Sequence, residues 1–181
     1  MIGGRVLPVL AAVVAGVVVT HASVGDIRVT PIIADGRVAA SFTAAPGFGD
    51  DARAVVQSGL PLTMTFTVDL KRPSGFWWDH TIGSATVAAS VKFDTLTAVY
   101  QVSKSLDGQV TWSERTDDLG HVRKWMTEFD RVPLATGDRL EANADYYVQV
   151  RMRASPRRTF SLWPFFGADD SVGRADFTYL R

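Results

Sequence analysis

A histidine beside an acid is the first candidate for chemistry in this chain. His80 directly follows Asp79, and an imidazole next to a carboxylate can bind a metal ion or transfer protons. Adjacent residues of a strand point to opposite faces, so these two side chains are expected to diverge. His121 is isolated from further ligands, and His21 falls in a segment that we expect to be removed. We therefore predict no catalytic residue, metal ion or cofactor.

Other chemical motifs are incomplete. Asp169, Asp170 and Asp176 lack the spacing of a calcium loop and are predicted to be solvated acids at a turn. No serine stands in a G-x-S-x-G turn, and the chain has no cysteine. The missing cysteine excludes thiol catalysis, thiolate-bound metals, disulfides and a lipid attached to cysteine. A protein that is not an enzyme is the resulting prediction.

Clustered aromatic residues are the best functional signal. Adjacent large rings cannot all face one core, so some are expected to be exposed and to contact a partner, a sugar or a membrane interface. The alternative is that they plug the two ends of the domain. The clusters are Phe76, Trp77 and Trp78 in one predicted loop and Trp163, Phe165 and Phe166 in another.

Arginines add a basic region to this predicted interaction surface. Arg151 and Arg153 alternate along one predicted strand, which places both on one face, and Arg157 and Arg158 follow closely. A solvated strand face is the simplest interpretation, and contact with anionic lipid headgroups is the functional one.

Composition predicts a single globular domain that does not bind nucleic acid. The chain has 181 residues, of which 46% are hydrophobic and 21% charged, enough for a hydrophobic core. Lys plus Arg and Asp plus Glu both number 19, so the net charge is zero. Nucleic-acid-binding proteins carry a basic excess instead.

The N-terminus has the pattern of a secretory signal. Arg5 precedes an apolar run at 6–19, and small residues precede a cut after Ala22. The run is shorter than the ~20 apolar residues of a membrane span, although an uncleaved anchor is the alternative. We therefore predict a signal peptide helix at 1–22, a single domain at 23–181, and a location in the periplasm or cell envelope.

Alternation of apolar and polar residues predicts a mainly β domain. Met64, Phe66 and Val68 alternate with threonines, which indicates a strand with one buried face. An antiparallel β-sandwich is predicted, with the immunoglobulin fold as one form it can take. Strands are predicted at 26–33, 36–45, 62–70, 81–93, 96–103, 108–115, 144–153 and 172–180, and short helices at 50–58 and 117–129.

Asp35-Gly36 is predicted as the turn between the first two strands, and Pro31 is expected at an edge position or a bulge. Asp50 or Asp51 is expected to cap the first helix, and Asp117 or Asp118 to start and cap the second, whose apolar face includes Phe129. A further turn is predicted at 136–138.

Several sequence motifs together resemble a known family. They are Gly59-Leu60-Pro61-Leu62, Lys71-Arg72-Pro73, Phe76-Trp77-Trp78-Asp79 and Tyr100-Gln101-Val102-Ser103, followed by the helix from Asp117. In this order they resemble the bacterial exported domain-of-unknown-function family DUF4390 over roughly 24–181. The long 155–170 loop departs from that pattern. The family has no assigned activity, and its members are often encoded beside a sensor kinase of the nitrogen-regulation type. The resemblance therefore implies a periplasmic accessory role.

An exported, non-catalytic interaction domain is the function that these features favour. Its expected partner is a protein of the cell envelope, with peripheral membrane contact as a further interaction. Two alternatives remain open. Strands of about ten residues are also typical of a small outer-membrane β-barrel. An enzyme acting on envelope polysaccharide would need a pair of carboxylates, and no pair stands out in the sequence.

Overall fold

A computed structural model describes residues 27–44, 48–75, 78–154 and 171–180. The predicted signal segment lies outside them. The described residues form nine strands, two α-helices and a 3-10 turn at Gly137–Arg139. In chain order these are β1 Ile27–Ala34, β2 Arg37–Ala44, α1 Asp50–Gln57, β3 Leu62–Arg72, β4 His80–Asp94, β5 Val99–Leu106, β6 Gln109–Thr116, α2 Leu119–Thr127, β7 Glu128–Thr136, β8 Ala144–Ala154 and β9 Val172–Tyr179.

The strands form two antiparallel sheets, which confirms the predicted mainly β sandwich. One sheet has the order β1-β2-β7 and the other β6-β5-β4-β3-β8-β9. This division into three and six strands differs from the four and three of a constant-type immunoglobulin domain. Helix α2 packs beside β4, β5, β6 and β7, and α1 lies against β3 and β4.

Two tight turns fix the hairpin registers. Asp35 and Gly36 join β1 to β2, and Asp107 and Gly108 join β5 to β6. All four residues have positive φ, between 48° and 82°. Two successive positive φ values match the right-handed twist of a hairpin, and Asp-Gly adopts them readily. The turn predicted at Asp35-Gly36 is thereby confirmed.

The core lies between the sheets, where β3 presents the predicted alternation. Its inward side chains from Met64 to Leu70 are buried. Phe66 meets Phe42 of β2 and Phe129 of β7, with ring centroids 4.7–5.2 Å apart within this trio. The three rings join the sheets, and replacing one by alanine would cost about 3–5 kcal/mol.

Two glycines allow the sheets to approach each other closely. A Cβ on Gly83 of β4 would lie 2.1 Å from the carbonyl oxygen of Leu134 on β7. A Cβ on Gly173 of β9 would lie 2.4 Å from the carbonyl oxygen of Ile27 on β1. Any larger residue at these two positions would push the sheets apart.

Strand β7 was not predicted, because its sequence breaks the usual strand signal. The sequence analysis predicted only a turn at 136–138 after the second helix, but residues 128–136 form a strand that pairs with β2. Arg131 has a positive φ, and the pairing register shifts twice near Pro133. Proline is tolerated here because β7 is an edge strand, and β1 is likewise an edge strand that carries Pro31, as predicted.

The helix boundaries correct two finer predictions. Helix α1 begins after Gly49, which makes no side-chain cap, so neither Asp50 nor Asp51 caps it. Phe129 belongs to β7 and not to the helical face of α2. The predicted cap of α2 is confirmed, because the Asp118 carboxylate accepts a 2.7 Å hydrogen bond from the Gly120 N–H.

Among the residues described, no helix combines the length and the apolar character needed to cross a membrane.

Candidate functional site: the corner between β3 and β4

The predicted aromatic loop is the connection between β3 and β4. We call residues 73–79 the corner loop. Both strands extend further than predicted, so Lys71 and Arg72 belong to β3 and His80 begins β4. Trp78 is 84% exposed and therefore plugs no end of the sandwich. The other predicted aromatic residues lie outside the described part of the chain, namely Phe76, Trp77, Trp163, Phe165 and Phe166.

Asp79 fixes the base of the corner loop. Its carboxylate accepts hydrogen bonds from the Tyr147 hydroxyl at 2.5 Å and from the Ser74 N–H at 3.1 Å. These two donors hold the pKa of Asp79 below its ordinary value. Burial and the bond to Asp79 raise the pKa of Tyr147 to about 12. The loop is thus tied to β8 directly beneath the exposed Trp78.

Arg174 of β9 extends this support across the sheet. Its guanidinium lies 3.7 Å from the centroid of the Tyr147 ring and pairs with Asp176 at 2.6 Å. A cation over an aromatic face is attracted by the ring, so Arg174 helps to hold Tyr147 against the sheet. Strands β8 and β9 therefore both brace the corner loop.

Arg151 belongs to a second polar group further along the same sheet. Asp69 of β3 is only 5% exposed, and its carboxylate accepts hydrogen bonds from Arg151 at 2.6 Å and from the Ser84 hydroxyl at 2.7 Å. A buried carboxylate requires such partners. Arg151, whose side chain is 42% exposed, is thus paired with a buried carboxylate. Arg153 lies two residues on along β8, opposite Thr65.

Asp79 and His80 have different surroundings, and Asp79 precedes β4, so the two are not the strand neighbours that the sequence analysis assumed. Asp79 turns to Tyr147, whereas His80 lines a cleft at the end of the sandwich. Within the ranges that the structure describes, no three histidine or acidic side chains gather in an arrangement that could hold a metal ion.

This cleft has a volume of about 480 Å³ and is predominantly polar. Arg72 at the end of β3 lies opposite His80 at the start of β4 in the strand register. The guanidinium of Arg72 contacts the Glu141 carboxylate at 2.5 Å. The backbone N–H of Glu141 donates to the buried Tyr146 hydroxyl at 2.8 Å. The lining residues are Arg72, Pro73, Ser74, His80, Ile82, Arg139, Glu141 and Tyr146. The sequence analysis missed this cleft, because Arg72 and Arg139 stand 67 positions apart in the chain. The Arg72-Pro73 motif was the one part of the cleft that it noted.

A second exposed tryptophan lies at the far edge of the six-stranded sheet. Trp112 of β6 is 59% exposed, and its indole N–H donates to Glu114 at 3.4 Å. Trp125 of α2 lies beside it at 6.4 Å between centroids, and His121 stacks on Trp125 and hydrogen-bonds to Glu114. We call these four residues together with Lys104 the β6–α2 cluster.

Lys104 supports the β6–α2 cluster from below. Its ammonium donates to the Glu128 carbonyl oxygen at 2.6 Å and lies within 5 Å of the ring centroids of Trp125 and Phe129. Burial lowers the pKa of Lys104, because the charged form loses hydration. The two rings and the carbonyl offset part of this cost.

The fold and the corner define the chain as a two-sheet antiparallel β domain with an exposed tryptophan, Trp78, in the connection between β3 and β4. It belongs to the family described as domain of unknown function (DUF4390), whose sequence model matches residues 20–158. The resemblance inferred from the motifs is thus confirmed, although β9 lies beyond the matched residues. No curated protein and no solved structure matches the chain.

Proposed function

We propose that this protein is an exported, non-catalytic domain of the cell envelope that binds a protein partner through its corner loop. One observation carries the proposal. Trp78 is 84% exposed, yet the residue after it is fixed by two hydrogen bonds. An apolar ring is therefore held in water directly beside a residue whose position is fixed.

Such an arrangement suits binding. Tryptophan is among the residues that contribute most to protein interfaces, since it buries a large area with few rotatable bonds. A loop that is already ordered loses less conformational entropy when a partner binds. The bonds that Tyr147 and Ser74 donate to Asp79 fix the residue next to Trp78 before binding.

Export is supported by the sequence. The charged start, the apolar run and the small residues before the cut match a secretory signal. We expect mass spectrometry of the protein from its native host to find a chain that begins at Ser23, in the periplasmic fraction. A full-length chain confined to the cytoplasm would contradict this part of the proposal.

Partner capture tests the role of the corner loop. The tagged protein and its Trp78→Ala variant are crosslinked in intact cells, and the captured envelope proteins are compared by mass spectrometry. We expect Trp78→Ala to lose at least one partner that the wild type captures. Trp112→Ala is the matched control, because it removes a second exposed indole elsewhere and should keep that partner.

Folding must be checked in parallel. Both variants should show the same cooperative thermal unfolding and circular dichroism as folded proteins. If a folded Trp78→Ala protein retains every partner, the corner loop is not the binding surface. If Trp112→Ala alone loses the partner, binding belongs to the β6–α2 cluster instead.

A further inference from the structure

The cleft beside the corner loop has an excess of cationic side chains. It is lined by Arg72, Arg139 and His80, which begins β4, and Glu141 is the one acid of the lining. With His80 neutral, two positive charges and one negative charge leave a net charge of +1, in a chain whose total charge is zero. We propose that this cleft is a binding site for a compact oxyanion, a phosphate or a carboxylate group.

Arg139 is the cationic side chain of the cleft that can bind an added anion. In the described part of the chain its guanidinium has no ion pair and no side-chain hydrogen bond. Arg72 contacts Glu141 through one terminal nitrogen, which leaves most of its five N–H donors free. Guanidinium groups bind phosphate and carboxylate through paired hydrogen bonds, so two of them at one cleft favour an oxyanion ligand.

The backbone around Arg139 is fixed before any ligand arrives. Arg139 ends the 3-10 turn, whose Gly137 N–H donates to the Gly36 carbonyl oxygen at 2.7 Å. On its other side, Leu140 is buried, and the N–H of Glu141 donates to the Tyr146 hydroxyl at 2.8 Å. A site held in this way spends little free energy on ordering its own backbone.

The shape of the cleft limits the ligand. Ile82 and the buried Tyr146 form an apolar part of the lining, while the charged groups surround it. A volume of about 480 Å³ accommodates one small anionic group and excludes a folded chain. This inference does not rest on the proposed function, since an oxyanion can bind whether or not Trp78 contacts a protein.

His80 and His121 allow a direct test by NMR in the protein prepared from Ser23 onward, which lacks the third histidine, His21. The ring signals of His80 and His121 are followed while sodium phosphate, and separately sodium succinate, is added at constant pH and ionic strength. We expect at least one of these anions to shift the His80 signals with saturation at millimolar concentration. The signals of His121, which belongs to the β6–α2 cluster, are the internal control and should stay in place.

Two charge variants should change the affinity of the cleft for the anion in opposite directions. Arg139→Gln should weaken binding about tenfold or more, because it removes a charged donor. Glu141→Gln should tighten binding several-fold, because it removes the carboxylate that competes for Arg72. Arg115→Gln on the exposed β6 edge is the matched control and should change nothing.

The outcomes separate cleanly. Saturation with phosphate alone or with succinate alone identifies the oxyanion and supports the site. The proposal is overturned if neither anion shifts His80, if His80 and His121 shift alike, or if a folded Arg139→Gln protein binds as well as the wild type. Failure here leaves the corner-loop proposal intact, because that experiment measures partner capture and not anion binding.

Discussion

The corner loop and the β6–α2 cluster both place a tryptophan at the surface, but they support it differently. At the corner, Trp78 is 84% exposed and has no aromatic or hydrogen-bonded partner among the residues described. At the cluster, Trp112 is 59% exposed, donates to Glu114 and lies beside Trp125. Among the residues described, the first ring therefore packs against no other ring, whereas the second belongs to a packed group.

The two surfaces differ in which groups hold the residues around the tryptophan in place. Below Trp78 a polar group formed by Asp79, Tyr147 and Arg174 holds the backbone and leaves the ring in water. In the cluster the rings hold one another, so the same side chains that are exposed also stabilise the fold. Exposure of a tryptophan therefore indicates a binding surface only where the ring is not needed for packing.

Of the changes at these two surfaces, the largest effect is expected for Trp125→Ala. This ring contacts Trp112, His121 and Lys104, so its removal empties the centre of the cluster. Burial of Trp125 is only partial, so the expected loss in the free energy of unfolding is about 2–3 kcal/mol, below that of a fully buried large aromatic residue. Urea titration followed by circular dichroism measures this loss.

Trp125→Phe is the control for this variant. The buried indole N–H of Trp125 finds no acceptor among the residues that the structure describes. Phenylalanine keeps much of the ring and removes that donor, so we expect a loss below about 1 kcal/mol, since an unsatisfied buried donor carries its own cost. Equal losses in the two variants would show that the rings do not support one another.

A smaller effect is expected for Tyr147→Phe at the corner. It removes the hydroxyl that donates to Asp79, and hydrogen bonds to a charged acceptor contribute about 1.5–3 kcal/mol. Because Asp79 can regain water, we expect about 1–2 kcal/mol at neutral pH. Chemical denaturation at pH 7 measures it, and an unchanged stability would mean that the corner is not braced from β8.

The pH dependence of Tyr147→Phe has a defined sign. The pKa of Tyr147 is about 12 in the folded protein, against an ordinary value of 10. Deprotonation therefore favours the unfolded chain, and wild-type stability falls as pH rises from about 10 to 12. At the acid end, the lowered pKa of Asp79 gives a stabilisation that is lost as pH falls below its ordinary value of 3.8. Both slopes should flatten in the variant.

Strand alternation made most of the fold predictable from sequence. In β3 and β8 every second residue is apolar, and that period appears directly as a buried face. The pattern fails at β7, where a positive φ at Arg131 and the nearby Pro133 interrupt the alternation. Such an edge strand is specified by its neighbour β2 more than by its own residues.

Side-chain pairing between distant strands was not predictable. The exposed face predicted for Arg151 overlooked Asp69, its partner 82 positions away. Asp79 and Tyr147 stand 68 positions apart, and Arg72 and Glu141 69 positions apart. Only the sheet order brings these pairs together, since a single chain gives no signal for contacts at such separations.

The smallest change in stability is expected for Trp78→Ala. A ring that is 84% exposed has little packing to lose, so its truncation should change the free energy of unfolding by less than about 0.5 kcal/mol. Trp112→Ala should cost more, about 1 kcal/mol, because it breaks the bond to Glu114 and the contact with Trp125. Urea titration of the two variants side by side gives the ranking. If Trp78→Ala proved the more destabilising, its ring would be part of the fold, and the distinction between a free and a packed tryptophan would fail. If the expected ranking holds, partner loss in Trp78→Ala cannot be attributed to unfolding, and the corner loop remains the proposed binding surface.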